Sequence, residues 1–186
     1  VKLEEGAAGL RAQPGLAYVD FTPRRGDGTS VPSISLDTVT ATEVNTSGGA
    51  NPGILAAGVE YHAVAVYNAA GNTMSLYLNG ALVDSASMNG GNITQIQATE
   101  AWFGAAVHWP DNNLNGAINE IRIWDGPLTA AQVATNYAFG PNALPRPKLT
   151  VAANSGGLVI SWPESFAGFT LETSPVLGVG AAWTPM

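Results

Sequence analysis

The fold is decided by residues 61–124, which open with YHAVAVY (61–67), continue with TMSLYLNGALV (73–83) and close with AINEIRIW (117–124). In the middle piece, apolar and polar side chains alternate with the two-residue period of a strand. One predicted face carries Met74, Leu76 and Leu78. Asn79-Gly80 follows, and both residues tolerate the positive φ angles of a two-residue type I′ turn. Residues 73–83 are therefore predicted to form a β-hairpin.

The opening strand, residues 61–67, is apolar on both faces, because Val64 and Val66 alternate with Ala63 and Ala65. Such a strand is typical of a sheet that is covered on both sides, so it is predicted to lie near the middle of a sandwich. Six side chains are expected to be buried between two sheets, with Tyr137 packed against one of them: Val64, Val66, Leu76, Leu78, Ile121 and Ile123.

Three pieces of sequence carry a family resemblance: YHAVAVYNAAGNTMSLYLNGALVDS, then AWFGAA, then LNGAINEIRIWDGPLTAAQVATNY. Their order resembles the later strands of laminin G-like jelly rolls of the concanavalin A-like lectin/glucanase superfamily. The resemblance covers residues 58–139. It implies an all-β fold: a jelly-roll antiparallel sandwich with one short helix after its last strand. One fold hosts many functions, so the resemblance alone does not imply an activity.

The predicted helix spans Leu128–Tyr137. Thr129 and Gln132 have the spacing of a capping box, and Leu128 and Val133 have that of a hydrophobic staple. Gly140-Pro141 is predicted to end the helix. Shorter strands are predicted at Leu16–Pro23, Ser33–Val44, 93–98 and Ala101–Val107.

Three regions are predicted along the chain: a jelly roll at 1–140, a Pro-rich linker at 141–148 and a partial β module at 149–186. The module contains three short strand-like runs but is too small to fold independently without disulfides. We expect the chain to be a segment of a longer polypeptide, since both ends lack strands that the resemblances imply. We therefore predict an open sheet edge near the N-terminal strands. We also predict that residues 148–186 pack against this jelly roll or a neighbouring copy.

The charge distribution argues against nucleic-acid binding. The net charge is −7, and no Lys or Arg lies between Arg25 and Arg122. Such a surface repels phosphate backbones. The chain has no Cys and no apolar run long enough to span a membrane.

The loop at residues 108–113 is the candidate ligand site. Sugar recognition needs an aromatic face together with amide or carboxylate groups. His108, Trp109, Asp111 and Asn112 supply these groups. The alternative is an ordinary turn whose Trp folds back on the sandwich. Because some members of the superfamily bind Ca²⁺ at the sandwich rim, the resemblance also makes Asp111, Asn112 and Asn113 candidate Ca²⁺ ligands.

Catalysis is not predicted. Glucanases of the superfamily use paired carboxylates in a Glu-x-Asp-x-x-Glu type of spacing, which is absent here. Glu120 and Arg122 share a predicted strand face and are expected to pair with each other or with neighbours. His62, on an apolar strand, is interpreted as a hydrogen-bonded core residue.

The predicted function is therefore a non-catalytic extracellular or cell-surface binding and adhesion module of a larger, bacterial-type secreted protein. The expected partners are a glycan or neighbouring protein chains. One alternative is a structural building block of a surface layer or fibre that assembles through its strands. Another is an ancillary domain of a polysaccharide-degrading enzyme.

Overall fold

The computed structural model describes residues 8–11, 17–25, 30–38, 44–47, 53–96, 100–105, 113–143, 146–163 and 169–186. Seven strands precede a single turn of 3-10 helix at Ile93–Gln95: β1 (Ala8–Arg11), β2 (Tyr18–Thr22), β3 (Ser33–Asp37), β4 (Val44–Ser47), β5 (Ala63–Asn68), β6 (Thr73–Leu78) and β7 (Ala81–Ser87). The later elements are β8 (Glu100–Trp102), α1 (Ala130–Phe139), β9 (Thr150–Asn154), β10 (Gly157–Ser161), β11 (Glu172–Thr173) and β12 (Thr184–Pro185).

Two antiparallel sheets form the main body. The larger sheet has the order β4-β3-β2-β1-β8, and the smaller has the order β5-β6-β7. They pack face to face through a core in which Ile34 and Leu36 of β3 meet Met74 and Leu76 of β6. Each of these four side chains is fully buried. The predicted all-β sandwich with one short helix is confirmed.

Helix α1 covers the outer face of the smaller sheet. Val133, fully buried on α1, packs against Val66 and Tyr77, with Leu128 beside them. The capping box predicted for Thr129 and Gln132 is present. Alternation along β6 therefore sends Leu76 to the sandwich core and Tyr77 to the helix.

The β6–β7 turn has the predicted geometry. Asn79 and Gly80 have φ angles of 50° and 81°, which suit a type I′ turn. Gly80 also lies beneath helix α1, where an added Cβ would come within 3.0 Å of the Tyr137 side chain. This position therefore requires Gly for two reasons, its backbone conformation and its close contact.

The prediction for residues 117–124 is wrong. Apart from an isolated bridge at Ala117, the segment pairs with no strand in the described part of the chain. Ile121 is 48% exposed and Ile123 is 81% exposed, so neither is a core residue. Tyr137 is also largely exposed. The alternation of apolar residues is real, but without a paired strand beside it the segment has no sheet face to bury.

Two smaller expectations also need correction. Residues 93–95 form a 3-10 turn instead of a strand, because the side chains of Asn92 and Gln95 satisfy each other's backbone N–H groups. The strand predicted over Ser33–Val44 ends at Asp37, and β4 begins only at Val44. The first strand, β1, was not anticipated, since residues 1–15 show little periodicity.

The chain divides into two compact units, Val1–Ala143 and Leu144–Met186. The second unit consists of the β9–β10 hairpin and the short β11–β12 pair. None of its described residues is buried. Its three predicted strand-like runs thus form sheets without a core of their own.

Candidate functional site

A groove of about 780 Å³ runs along one edge of β5 in the first unit. Its lining includes every residue from Glu60 to Tyr67 in succession. Consecutive residues of a strand point to opposite faces, so a cavity that contacts all of them follows the strand's edge and not one of its faces. Among the described strands β5 pairs only with β6, which corrects its predicted place near the middle of the sandwich.

The hydrogen-bonding pattern identifies which backbone groups face the groove. The Asn79 N–H donates to the His62 carbonyl oxygen at 2.7 Å, which makes His62 and Asn79 a hydrogen-bonded pair. Such pairs alternate along an antiparallel ladder, so Val64 and Val66 also bond to β6. The N–H and C=O groups of Ala63, Ala65 and Tyr67 therefore point away from β6, toward the groove.

The two walls of the groove are largely apolar. One wall comes from the larger sheet and the segment after β7, and includes Val19, Phe21, Ile93, Ile96 and Phe103. The other comes from the segment before α1 and from α1 itself, and includes Ile123, Trp124, Leu128 and Tyr137. Both sides of the β5 edge are therefore bounded by side chains that favour contact with apolar groups over contact with water.

Tyr67 fastens β5 to the larger sheet at the end of the groove. Its hydroxyl lies 3.1 Å from the Ser35 carbonyl oxygen and 3.3 Å from that of Asp20, to which it donates. Burial, followed by the nearby Asp20 carboxylate, raises the pKa of the Tyr67 hydroxyl well above its ordinary value. The phenol therefore stays protonated and remains a donor.

Arg122 holds residues 119–124 against the end of α1. It forms an ion pair with Glu120 and donates to the Ala143 carbonyl oxygen at 2.8 Å. Its guanidinium also reaches the Asn136 side chain at 3.4 Å. The predicted pairing of Glu120 with Arg122 is confirmed. These contacts fix the far wall of the groove, since a cation near a helix C-terminus satisfies carbonyl groups that have no partner in the helix.

His62 occupies the junction between β5 and this cluster. Its ring centroid lies 5.8 Å from that of Tyr137. Its backbone N–H is bonded to the Asn79 side chain at 3.0 Å, yet its buried ring Nδ1 has no hydrogen-bond partner among the described groups. Burial, and secondarily the charge of Arg122, lowers the pKa of the imidazole. The interpretation of His62 as a hydrogen-bonded core residue thus holds for its backbone only.

The Glu120 cluster leads to a pH-dependent prediction. The Arg122 hydrogen bond, together with a 2.7 Å bond from the Asn142 N–H, lowers the pKa of Glu120 from 4.5. The carboxylate therefore stabilises the fold above that pH, and its contribution is lost as the pH falls through the lowered pKa. Thermal melts of wild type and Glu120→Gln from pH 7 to pH 3 should show a Tm advantage of the wild type that shrinks with acidification. A constant difference would contradict the assignment.

The ligand site predicted from the sequence lies outside the described residues. This applies to His108, Trp109, Asp111 and Asn112. Asn113, also a candidate Ca²⁺ ligand, is described and exposed. Within the described ranges no three His, Cys, Asp or Glu side chains come together as a metal site would require. The glycan and Ca²⁺ assignments for this loop stay predictions.

The groove residues were present in the sequence analysis, but as members of paired strands. Tyr61, Trp124 and Phe103 belong to the pieces that carry the family resemblance. The one signal that pointed to the groove was the apolar character of both faces of residues 61–67. No helix in the described part of the chain is both long and apolar enough to cross a membrane.

Comparison with known proteins agrees with this architecture. A search of curated proteins finds no match. A solved structure of an S-layer domain-containing protein (residues 221–444) from Clostridium thermocellum ATCC 27405 is 19% identical, with a TM-score of 0.39 over 71% of this chain and 63% of that one. The chain thus spans less than two thirds of that structure's length. A laminin G family model, described as concanavalin A-like lectin/glucanases superfamily, matches residues 20–134. Because this match covers more than half of the sequence, the chain belongs to the concanavalin A-like lectin/glucanases superfamily.

Proposed function

We propose that the protein is a non-catalytic, extracellular adhesion and assembly module that binds an extended polypeptide strand along the edge of β5. The observation that carries this proposal is the unpaired β5 edge inside a groove with apolar walls. A strand added at this edge extends the β5-β6-β7 sheet, which is the mode of recognition called β-augmentation.

The chemistry of the groove favours an extended peptide. Ala63, Ala65 and Tyr67 direct backbone donors and acceptors to the edge, and a strand supplies the complementary groups at the same spacing. Each such hydrogen bond contributes about 0.5–1.5 kcal/mol. The apolar walls cover both faces of the incoming strand, so side chains of alternating direction both gain contact. A volume of about 780 Å³ lies within the range of specific ligand sites.

The non-catalytic assignment is supported by the state of Glu120, the carboxylate of the family-like segment. It is occupied by Arg122 and by the Asn142 N–H. A carboxylate held in this way stays ionised, so it is poorly suited to act as a general acid. The extracellular assignment is supported by family membership and by the acidic surface, which suits a secreted protein.

A display library of nine-residue peptides tests the proposal. Wild type is expected to enrich peptides with apolar residues on both strand faces. Ala65→Pro, which removes an N–H that points into the groove, should abolish this enrichment. Ala57→Pro is the matched control, because Ala57 is exposed and precedes Gly58 (φ 77°) in a turn that accommodates proline at this position. No enrichment by wild type, or equal enrichment by Ala65→Pro, would refute the proposal.

Carbohydrate binding is the second candidate, favoured by the rings of Tyr61, Phe103 and Trp124 beside the Asn119 amide in the same groove. Aromatic faces and amides are the groups that sugars require. A glycan array with the same wild-type protein separates the two candidates. Binding that is lost in Trp124→Ala would assign the sugar to the groove, whereas loss in Trp109→Ala without a change in Tm would assign it to the 108–113 loop.

A further inference from the structure

We infer that the strand bound at the β5 edge is β10 from the C-terminal unit of a second copy of this chain, running antiparallel to β5. This inference rests on the proposed function, since it names the partner of the same groove. The resulting assembly joins each copy to the next through one strand, with the sheet order β9-β10-β5-β6-β7 across the junction.

Strand β10 has the composition that the groove requires. The groove covers both faces of an incoming strand, and β10 contains three consecutive large aliphatic residues, Leu158, Val159 and Ile160. Leu158 is 71% exposed, and Val159 is exposed as well. The neighbouring β9 reads TVAAN and carries one large aliphatic residue, while β11 and β12 contain two residues each.

The free edge of β10 also has the required hydrogen-bonding pattern. The β9–β10 turn holds only two residues, so Asn154 and Gly157 form a hydrogen-bonded pair. Alternation then directs the N–H and C=O groups of Leu158 and Ile160 away from β9. Among the described strands, β10 pairs with β9 alone. The five residues of β10 fit within the eight-residue edge from Glu60 to Tyr67.

Charge selects the antiparallel orientation. In that orientation Ser161, at the end of β10, lies beside the beginning of β5, where Glu60 is located. Ser161 pairs with Thr150, so this end of the hairpin also holds the chain that enters from Arg146 and Lys148. The two cations of the C-terminal unit therefore come close to a carboxylate of the acidic first unit, which favours docking in this direction.

The linker favours a second copy over the same chain. Pro145 and Pro147 restrict the backbone before β9. Pro-rich segments are extended and semi-rigid, so they act as spacers. A spacer that begins immediately after groove residue Pro141 favours presentation of the hairpin to another molecule. Because one strand buries a small area, the association should depend on concentration.

Disulfide trapping tests this pairing in the full chain, which contains no Cys. Ala65→Cys is mixed with a second variant, either Leu158→Cys or Ile160→Cys, and mildly oxidised. In a hydrogen-bonded antiparallel pair the Cα atoms are about 5.5 Å apart, a separation that a disulfide spans. We expect a heterodimer to accumulate with one of these two variants. Val159→Cys is the matched control, since its side chain points to the opposite face and should not be trapped.

Sedimentation provides an independent measurement. The weight-average mass of wild type should rise with concentration, and Leu158→Asp should remain monomeric. Leu177→Asp is the control for this variant, since Leu177 is 86% exposed in the same unit but lies outside β10, and it should associate like wild type.

Each other outcome has a distinct meaning. If mixed single variants give no heterodimer but an Ala65→Cys/Leu158→Cys double variant forms a disulfide within one chain, the donor is the chain's own hairpin and the second-copy inference is wrong. Equal trapping of Val159→Cys, or equal association of Leu158→Asp, would also overturn it. If the peptide library is enriched in an Ala65-dependent way without any of this trapping, the proposed function stands and only the partner is wrong. If neither occurs, both fail.

Discussion

Leu76→Ala is expected to lower the free energy of unfolding by about 2–5 kcal/mol. Leu76 is fully buried in β6 and belongs to the cluster of Ile34, Leu36 and Met74 that joins the two sheets. Its replacement removes apolar contacts and leaves a cavity that neighbouring sheets cannot fill without shifting their ladders. For a unit of this size, the loss corresponds to a decrease of about 4–20 °C in Tm.

The control for this prediction is Leu82→Ala on the neighbouring strand β7. The chemical change is the same, but Leu82 is 54% exposed. Its replacement should change the stability by about 0.5 kcal/mol or less. Denaturant unfolding of both variants, with m-values compared to confirm two-state behaviour, gives the difference. Similar losses in the two variants would contradict the assignment of the sandwich core.

Elements specified by local chemistry could be predicted from the sequence. The β6–β7 turn follows from the φ tolerance of Asn79-Gly80. The start of α1 follows from two reciprocal side-chain bonds of Thr129 and Gln132, which lie three residues apart. The burial of Leu76 follows from the two-residue period. In each case the interacting groups are near in sequence, so the pattern contains the information.

Elements that depend on distant partners could not be predicted. Strand β1 is short and bonds to β2 and β8, the second of which lies about ninety residues further along the chain. Ile121 and Ile123 alternate as strand residues do, but burial requires a neighbouring strand, and none of the described strands supplies one. A period in the sequence shows which side chains share a face, and only the packing determines what covers that face.

The candidate site illustrates the same limit. Trp109 and Asp111 were chosen by residue type, which ignores position in the fold, and both lie outside the described residues. The groove instead depends on the end of a ladder, a property of topology. Its trace in the sequence is that residues 61–67 are apolar on both faces, as for a strand with neighbours on either side. At an edge, this composition indicates a strand that requires a further partner.

Proline substitution at adjacent positions of β5 tests that edge directly. Val66→Pro is expected to destabilise the first unit by about 3 kcal/mol or more, because it removes an N–H that bonds to Ser75 of β6 and places a ring against the ladder. Ala65→Pro should cost much less, since its N–H points into the groove and proline is found on edge strands whose N–H faces solvent. The two positions are neighbours in the same strand, so their difference reports on hydrogen-bond direction.

Packing must be separated from hydrogen bonding in this comparison, because Val66 is also buried against Val133 of the helix. Val66→Ala removes the side-chain contacts and keeps the N–H, so the additional loss in Val66→Pro measures the backbone effect. Thermal melts of the three variants supply these values. If Ala65→Pro unfolds the protein as readily as Val66→Pro, the edge of β5 is not free, and the groove is no acceptor for a strand. If Ala65→Pro retains a melting transition close to that of wild type, its use as a binding-deficient variant is justified, because any loss of peptide binding then arises at the edge and not from unfolding.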